Sequence, residues 1–316
     1  MVMPQPSSKG GTPMPLTPEL RARMARDMQS NRKFDGDTDI PGECRSFIDL
    51  ADRETLERPA VCGWPYKMYV FTAKNRQPHC PLHINIHGGG WLIGHMPNDT
   101  LWCAWLADQI GGVVVDVDYT TTEFASFPVP MEQCLDAARY VFAHLGDWDA
   151  DPKRVSCGGY SAGGQLTMSI AVTSVLRGEP LPFCLLINGY GPNDMAYDDA
   201  EAKAVPEYWK TSEYRSAGFG VLMTDDNPAL LKDPAIDFMQ APEETLAALP
   251  ATMILGGSKC PFRFQNLEQA RRLALLGVEV TVKIFPGAVH GFIPHFMPHW
   301  QEGAELIVRG IKNTSL

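Results

Sequence analysis

Apolar stretches of strand length alternate with segments of helix length over most of the chain. Short apolar or alternating runs predict strands at 66–72, 82–87, 113–118, 155–157, 183–188, 252–256 and 281–285. Apolar residues spaced three and four apart predict helices between them, at 101–110, 131–145, 162–176, 264–276 and 300–311. Strands separated by helices predict an α/β fold, with a mostly parallel central sheet and helices on both faces.

Two segments fall outside this alternation. Residues 1–16, rich in Pro, Gly and Ser, predict a disordered tail. A helix then begins after Thr17, and residues 30–65 are expected to be irregular because Gly and Pro recur there. We expect one domain over 17–316, with a cap built from about 17–60 and about 192–245. In such folds ligands bind at the carboxyl edge of the sheet, which the cap would cover.

Composition and charge remove several classes of partner. The 316 residues carry a net charge of −10 and no basic cluster, so we expect no nucleic-acid partner. No run of about 18 apolar residues occurs, so no membrane span is expected. The eight cysteines are scattered, and none forms a C-x-x-C pair. Scattered thiols favour a reducing compartment, and we expect a cytoplasmic protein.

Gly159, Ser161 and Gly163 form a Gly-x-Ser-x-Gly pattern between a predicted strand and a predicted helix. A serine at such a sharp turn needs small neighbours, because its backbone is strained and the chain doubles back. The turn lifts the hydroxyl out of the sheet, above a helix N-terminus. This context indicates a nucleophile, whereas the alternative is a glycine-rich turn with an incidental serine.

A glycine run ends the strand predicted at 82–87, in His87-Gly88-Gly89-Gly90-Trp91. Without a Cβ, its backbone N–H groups are able to face a cavity and hold the oxyanion of a tetrahedral intermediate. One such donor is worth about 3–4 kcal/mol in the transition state. The N–H of Ala162 is a second source. A nucleophilic serine also needs a base, and His290 lies in the loop directly after the last predicted strand.

These motifs resemble the characteristic motifs of a known enzyme family. The chain resembles the hormone-sensitive-lipase-like branch of the α/β-hydrolases, which carries H-G-G-G and G-D-S-A-G-G motifs. The matching segments, in order, are His87–Gly90, Asp118-Tyr119, Phe127-Pro128, Asp151-Pro152-x-Arg154-Val155, Gly159–Gly164, Asn227-Pro228-Ala229, Leu249-Pro250-Ala251 and Val289-His290-Gly291-Phe292.

The resemblance implies roles for individual residues. Ser161 would be the nucleophile and His290 the base, and the oxyanion donors would be Gly88, Gly89 and Ala162. Family members hydrolyse short- to medium-chain acyl esters without a cofactor, so we expect a small-molecule ester substrate, no cofactor and no metal. The resemblance also makes a homodimer possible.

Two positions depart from the family pattern. Tyr160 replaces the aspartate of G-D-S-A-G-G, which affects the wall of the pocket. The triad acid normally opens a D-P-L-R-like motif, and the corresponding stretch here is Cys260-Pro261-Phe262-Arg263. A thiol at the acid position is a poor acceptor. Loss of the proper acid costs on the order of 10⁴ in kcat.

Three accounts of this departure remain open. Asp194, after the strand at 183–188, is a candidate for a relocated acid. The enzyme could instead work as a Ser–His pair, with Cys260, a backbone carbonyl or water orienting His290. In the third account catalysis has decayed, and the protein binds a small molecule. An amide hydrolase or acyltransferase would use the same residues. Trp91, Tyr160 and Tyr190 are candidates for lining the substrate pocket.

Overall fold

The computed structural model describes residues 16–30, 40–193 and 220–313. Eight strands form one sheet in the order β1-β2-β4-β3-β5-β6-β7-β8. The pairs β1–β2 and β2–β4 are antiparallel, and all other neighbours are parallel. The strands are β1 (Ala51–Val61), β2 (Trp64–Ala73), β3 (Cys80–Ile86), β4 (Val113–Asp118), β5 (Ala150–Tyr160), β6 (Leu185–Gly189), β7 (Thr252–Gly257) and β8 (Val280–Phe285).

The described helices are α1 (Pro18–Ser30), α2 (Pro97–Ile110), α3 (Val129–Ala143), α4 (Ala162–Leu176), α5 (Glu243–Ala247), α6 (Arg263–Leu275) and α7 (Trp300–Asn313). Helices α2, α3, α4 and α6 connect parallel strands and pack against the sheet, whereas α1 precedes β1 and α7 follows β8. Two large apolar clusters of buried residues, both including side chains of the sheet, form the core. This architecture confirms the predicted α/β fold. None of the helices in the described residues is long and apolar enough to cross a membrane.

The expectation that 30–65 is irregular is wrong for β1. Ala51–Val61 forms a strand that pairs with β2 from Ala51 opposite Ala73 onward. The pattern missed it because this edge strand is largely exposed and therefore carries no regular apolar alternation. Residues 51–60 accordingly belong to the sheet, although the predicted cap extended to about 60.

The two remaining parts of the predicted cap contact each other in the described residues. The guanidinium of Arg21, on α1, donates hydrogen bonds to the carbonyl oxygens of Thr122 and Leu222, at 2.7 and 2.8 Å. It also forms an ion pair with Asp225. Arg21 is buried, so this contact ties α1 to the helical segment at 220–224. The predicted tail 1–16 lies, except for Leu16, outside the described residues.

Parallel strand direction positions the candidate site. The carboxyl ends of β3, β5, β7 and β8 lie at one edge of the sheet, and a loop or turn leaves each of them there. Ser161 follows β5, the glycine run follows β3, and Cys260 and His290 follow β7 and β8.

Candidate active site

Ser161 occupies a strained turn between β5 and α4. Its backbone lies at φ 55° and ψ −121°, a conformation that non-glycine residues rarely adopt. The two flanking glycines have no room for a side chain, because a Cβ on Gly159 or Gly163 would overlap the carbonyl oxygen of Ile86. The Ser161 N–H donates to the carbonyl of Gly189 at 2.8 Å, which fixes the turn against β6.

The glycine run after β3 lies against this turn. A Cβ on Gly88 would be 2.9 Å from the Tyr160 carbonyl oxygen and 3.6 Å from Ser161 Cβ, so the two backbones are in close contact. Gly89 has a φ of +125°, which strongly favours glycine. Its carbonyl accepts N–H bonds from Leu92 and Ile93, both at 3.2 Å. The loop is therefore folded back on itself beside the serine.

His290 lies within hydrogen-bond distance of the serine. Its Nε2 is 2.8 Å from Ser161 Oγ, although 129 positions separate the two residues in the chain. A neutral imidazole whose Nε2 lacks a proton accepts the serine O–H in this geometry. Ser161 and His290, both expected from the sequence to act together, are thus brought together by the loops after β5 and β8.

Cys260 lies on the other side of the imidazole. Its Sγ is 3.2 Å from His290 Nδ1, and its side chain is fully buried. Burial raises the pKa of the Cys260 thiol to about 12, so the sulfur is uncharged at neutral pH. The turn after β7 holds Cys260 in place, because the backbone N–H of Cys260 donates to the Gly257 carbonyl at 3.0 Å. A neutral thiol therefore stands at the position that the sequence indicated for the acid.

Aromatic rings flank the imidazole. The centroid of Tyr190 lies 5.1 Å from that of His290, and the ring of Phe262 lies 5.4 Å away, both edge-on. Tyr160 is buried and packs 5.9 Å from Tyr190. The sequence named both tyrosines as wall candidates but missed Phe262, which stands in the departing C-P-F-R stretch.

Trp91 points away from solvent and is tied to α4. Its Nε1 donates to Gln165 Oε1 at 3.1 Å. The amide nitrogen of Gln165 in turn donates to Ser169 Oγ and to the Ile236 carbonyl, each at 2.7 Å. Gln165 thus links the glycine loop to the segment that precedes α5. An isolated glutamine four residues after Ser161 gave no sequence signal for this contact.

A buried cluster of histidine and aspartate side chains lies next to the glycine loop and is hydrogen-bonded to it. His87 Nδ1 donates to the Gly88 carbonyl at 2.7 Å, and Nε2 lies 3.6 Å from Asp118 Oδ1. Burial of the ring disfavours its charge, but Asp118, Asp116 and Asp99 outweigh that cost and raise the pKa of His87 to about 9. Burial also works against the charge of Asp118, yet His87 lowers the pKa of that carboxyl to about 2.

The cluster continues through His95. Its Nδ1 lies 2.6 Å from Asp116 Oδ2, and its Nε2 lies 2.6 Å from Thr100 Oγ1. The backbone N–H of His95 also donates to Asp118 Oδ1 at 3.1 Å. Two aspartates at alternate positions of an otherwise apolar strand are the signal by which the sequence could have revealed buried ionic partners.

A second Ser–His hydrogen bond belongs to the sheet and not to this site. His83 Nδ1 lies 2.8 Å from Ser156 Oγ, between β3 and β5. Both side chains are buried among the central strands. Burial lowers the pKa of His83 to about 3, so the ring is neutral. No substrate reaches a hydroxyl in that position, and the pair is a hydrogen-bonded core contact.

Asp194, the candidate for a relocated acid, lies outside the described residues. The other candidate residues are all described. Ser161, His290, Cys260 and the glycine loop meet at one edge of the sheet, while Trp91, Tyr160 and Tyr190 pack around them.

Comparison with known proteins gives one family. A family profile described as "alpha/beta hydrolase fold" matches residues 83–294, more than half of the chain. The matched region runs from β3 through the loop that carries His290. It therefore contains all the candidate site residues.

Two similar proteins and one similar structure are named esterases. The versiconal hemiacetal acetate esterase of Dothistroma septosporum is 27% identical over 243 residues, covering 73% of this chain and 72% of that protein. The carboxylesterase NlhH of Mycobacterium tuberculosis is 27% identical over 296 residues, covering 89% and 78%. The crystal structure of carboxyl esterase 2 from the fungus Tuber melanosporum superposes with a TM-score of 0.77 at 26% identity, covering 93% and 98%.

Proposed function

Because the chain belongs to the α/β-hydrolase fold family, in its hormone-sensitive-lipase-like branch, we propose that it is a serine carboxylesterase for short- to medium-chain acyl esters. The observation that carries this proposal is the 2.8 Å contact between Ser161 Oγ and His290 Nε2 at a strained strand-to-helix turn. Similar proteins named as esterases support it.

In the proposed reaction Ser161 is the nucleophile. His290 Nε2 takes its proton as Oγ attacks the ester carbonyl. The N–H groups of Gly88, Gly89 and Ala162 hold the oxyanion, in keeping with the close approach of the glycine loop to the serine turn. The imidazolium then protonates the leaving alcohol. Water, activated by the same nitrogen, releases the acyl group from the serine.

We assign Cys260 the role of positioning His290. For Nε2 to accept the serine proton, the resting imidazole must carry its proton on Nδ1, and the sulfur 3.2 Å away is placed to accept that N–H. The thiol thereby selects the tautomer and the ring orientation. Asp194 as a relocated acid remains the rival hypothesis. An Asp194→Asn variant that loses activity by orders of magnitude would establish it, whereas a near-normal rate rejects it.

The substrate pocket and the cap extend the proposal. Trp91, Tyr160 and Tyr190 would border the acyl or alcohol group. The contact of Arg21 with the segment at 220–226 supports a cap shared by the N-terminal helix and the insert.

None of the eight cysteines, all of which the structure describes, is in a disulfide. We accordingly place the protein in the cytoplasm, and cell fractionation would test this.

A chromogenic short-chain ester tests the activity. The parent protein should turn the ester over, and Ser161→Ala should abolish the turnover. Either no turnover by the parent or equal turnover by the variant would refute the proposed serine esterase, and no turnover by the parent would favour the binding protein. A His290→Ala variant with full activity removes His290 as the base. Turnover of an anilide matched to the ester would favour the amide-hydrolase alternative.

A further inference from the structure

The backbone that carries two of the proposed oxyanion donors continues into a tight turn. Gly89, Gly90 and Trp91 follow one another with φ values of 125°, 62° and 58°. A positive φ is costly for tryptophan, and such a conformation persists only where neighbouring contacts fix it. The carbonyl of Gly89 accepts N–H bonds from Leu92 and Ile93, each at 3.2 Å. The direction of the donor N–H groups therefore depends on where Trp91, Leu92 and Ile93 are placed.

Thr122, in the loop after β4, holds the carbonyl of Trp91. The backbone N–H of Thr122 donates to that carbonyl at 2.7 Å, and the Thr122 hydroxyl donates to the same oxygen at 3.1 Å. Both residues are buried. A displacement of Thr122 would either move the Trp91 backbone or break both bonds, and a buried carbonyl without a donor is costly.

Arg21, on α1, holds Thr122 in turn. Its guanidinium donates to the carbonyl oxygens of Thr122 and Leu222 and forms an ion pair with Asp225. Arg21 is only 5% exposed, so these groups replace the water that a buried cation would otherwise need. Asp225 is itself fixed, because Ser126 Oγ donates to its Oδ2 at 2.7 Å. The guanidinium thus joins the N-terminal helix to the loop that fixes Trp91.

Apolar packing joins the same helix to the same turn. Met24 and Ala25 of α1 form a buried cluster with Leu92 and Leu222, and Ile93 packs against this cluster. Leu92 and Ile93 are the two residues whose N–H groups bind the carbonyl within the glycine turn. The helix therefore reaches the turn by two routes, one polar through the guanidinium and one apolar through these side chains.

We propose that Arg21 is a positioning residue for the oxyanion donors, so that the N-terminal helix completes the catalytic site. The inference rests on the proposed esterase function. Arg21 acts through Thr122 and the Trp91 carbonyl on the turn that carries the N–H groups of Gly88 and Gly89. Such donors stabilise the oxyanion only when the fold already points them at the place where its charge develops. A loosened turn should therefore lower kcat and leave KM nearly unchanged.

Arg21→Met tests this proposal, and Arg23→Met is the matched control. Arg23 lies on the same helix and is exposed, so its replacement should leave the kinetics unchanged. With p-nitrophenyl acetate, kcat of Arg21→Met should fall at least about tenfold while KM changes less than about threefold, since loss of a whole oxyanion donor costs about 10²–10³. Rates are measured well below the melting temperature and per serine titrated with a phosphonate, so that unfolded protein does not count as slow enzyme.

A transition-state analogue separates positioning from a general structural effect. A boronic acid bonded to Ser161 Oγ carries a tetrahedral, negatively charged boron, and one of its oxygens takes the place of the oxyanion. Its inhibition constant should rise in Arg21→Met by about the factor by which kcat/KM falls. The inhibition constant of an uncharged ether with the shape of the substrate should stay the same in both variants, because it makes no use of the oxyanion donors.

Hydrogen–deuterium exchange observes the turn without any substrate. The N–H groups of Leu92 and Ile93 are bonded to the Gly89 carbonyl, so their exchange reports how often the turn opens. Both should exchange at least about tenfold faster in Arg21→Met than in the parent and in Arg23→Met.

The outcomes separate this inference from the proposed function. Parental kcat and parental exchange in Arg21→Met overturn the inference while leaving the esterase intact. A fall in kcat without a matching rise in the inhibition constant of the boronic acid, or an equal fall in Arg23→Met, also overturns it. Absence of turnover of every ester, or turnover that survives Ser161→Ala, overturns the esterase proposal, and the exchange measurement then decides whether Arg21 orders the turn.

A second variant covers the case in which Arg21→Met does not fold. Thr122→Val keeps the backbone and the shape of the side chain but removes the hydroxyl that donates to the Trp91 carbonyl. Loss of this bond should lower kcat at least about threefold, with KM nearly unchanged. Parental kcat and parental exchange of Leu92 and Ile93 in this variant would contradict the proposed route from Arg21 to the oxyanion donors.

Discussion

Asp118→Asn should destabilise the fold in a pH-dependent way. The Asp118 carboxylate lies 3.6 Å from the buried imidazole of His87, the residue next to the glycine run. Asn has nearly the same shape as Asp, so the substitution removes the charge with little change in volume. The side chain of His87 is fully buried and that of Asp118 is 23% exposed, so water screens the pair only weakly.

The pKa values of the two partners set the magnitude. That of His87 rises from 6.5 to about 9, and that of Asp118 falls from 3.8 to about 2. Each unit corresponds to about 1.4 kcal/mol, so the pair and its neighbours contribute about 2–3 kcal/mol at pH 7. Because other carboxylates also support His87, we expect Asp118→Asn to lower the free energy of unfolding by about 2 kcal/mol at pH 7.

The sign of the pH dependence follows from His87. A raised pKa in the folded state contributes stability that is fully present below pH 6.5, the ordinary pKa of histidine, and is lost as pH rises through about 9. Burial raises the pKa of Asp99 to about 6. Asp99 therefore keeps its charge from pH 7 to pH 9.5 and does not change the comparison. The difference in unfolding free energy between the parent and the variant should therefore shrink to less than about 1 kcal/mol at pH 9.5.

Urea unfolding of both proteins at pH 7 and 9.5, with a reductant present, measures this difference. Asp52→Asn, on the exposed face of β1, is the matched control and should change stability at neither pH. Differences of equal size at the two pH values would refute the ion pair as the cause. A variant as stable as the parent at pH 7 would refute the energetic argument entirely.

Three further substitutions test the packing of the site and the cap. Gly88→Ala places a Cβ 2.9 Å from the Tyr160 carbonyl oxygen, so kcat should fall by about 10²–10³ while the protein stays folded; unchanged kinetics would reject this loop as the oxyanion site. Gly163→Ala would overlap the Ile86 carbonyl and should cost more than about 3 kcal/mol; a parental melting temperature contradicts the close packing. Arg21→Met removes the buried cation that joins α1 to 220–226 and should lower Tm by several degrees, about 2–4 °C per kcal/mol lost; an unchanged Tm would show that this contact does not stabilise the fold.

Local patterns in the sequence were sufficient to predict much of this site. Most positions of the central strands β3, β4 and β6 are apolar, and the turns at Ser161 and after β3 need glycines, so both kinds of position stand out in a single chain. β1 escaped prediction because an exposed edge strand has no apolar face. The pairing of His87 with Asp118, and the link from Trp91 to Gln165, depend on contacts between distant segments that no local pattern encodes.

The position of Cys260 shows most clearly which part of the site the sequence alone could not predict. Motif alignment placed a thiol where an acid is expected, but only three-dimensional geometry places its sulfur 3.2 Å from Nδ1 of His290. The burial that makes it neutral likewise comes from packing around β7 and its turn. Neither the contact of Cys260 with His290 nor the neutral state of its thiol could therefore be predicted from the sequence.

Ser161, as the nucleophile, should become acylated while the protein hydrolyses an ester. Intact-mass and peptide mass spectrometry of the protein, quenched in acid during turnover of p-nitrophenyl acetate, measures this. We expect a single acetyl adduct on the peptide that contains Ser161, and no adduct in Ser161→Ala. An acetyl group on a different residue, or hydrolysis that proceeds unchanged in Ser161→Ala, would contradict the account.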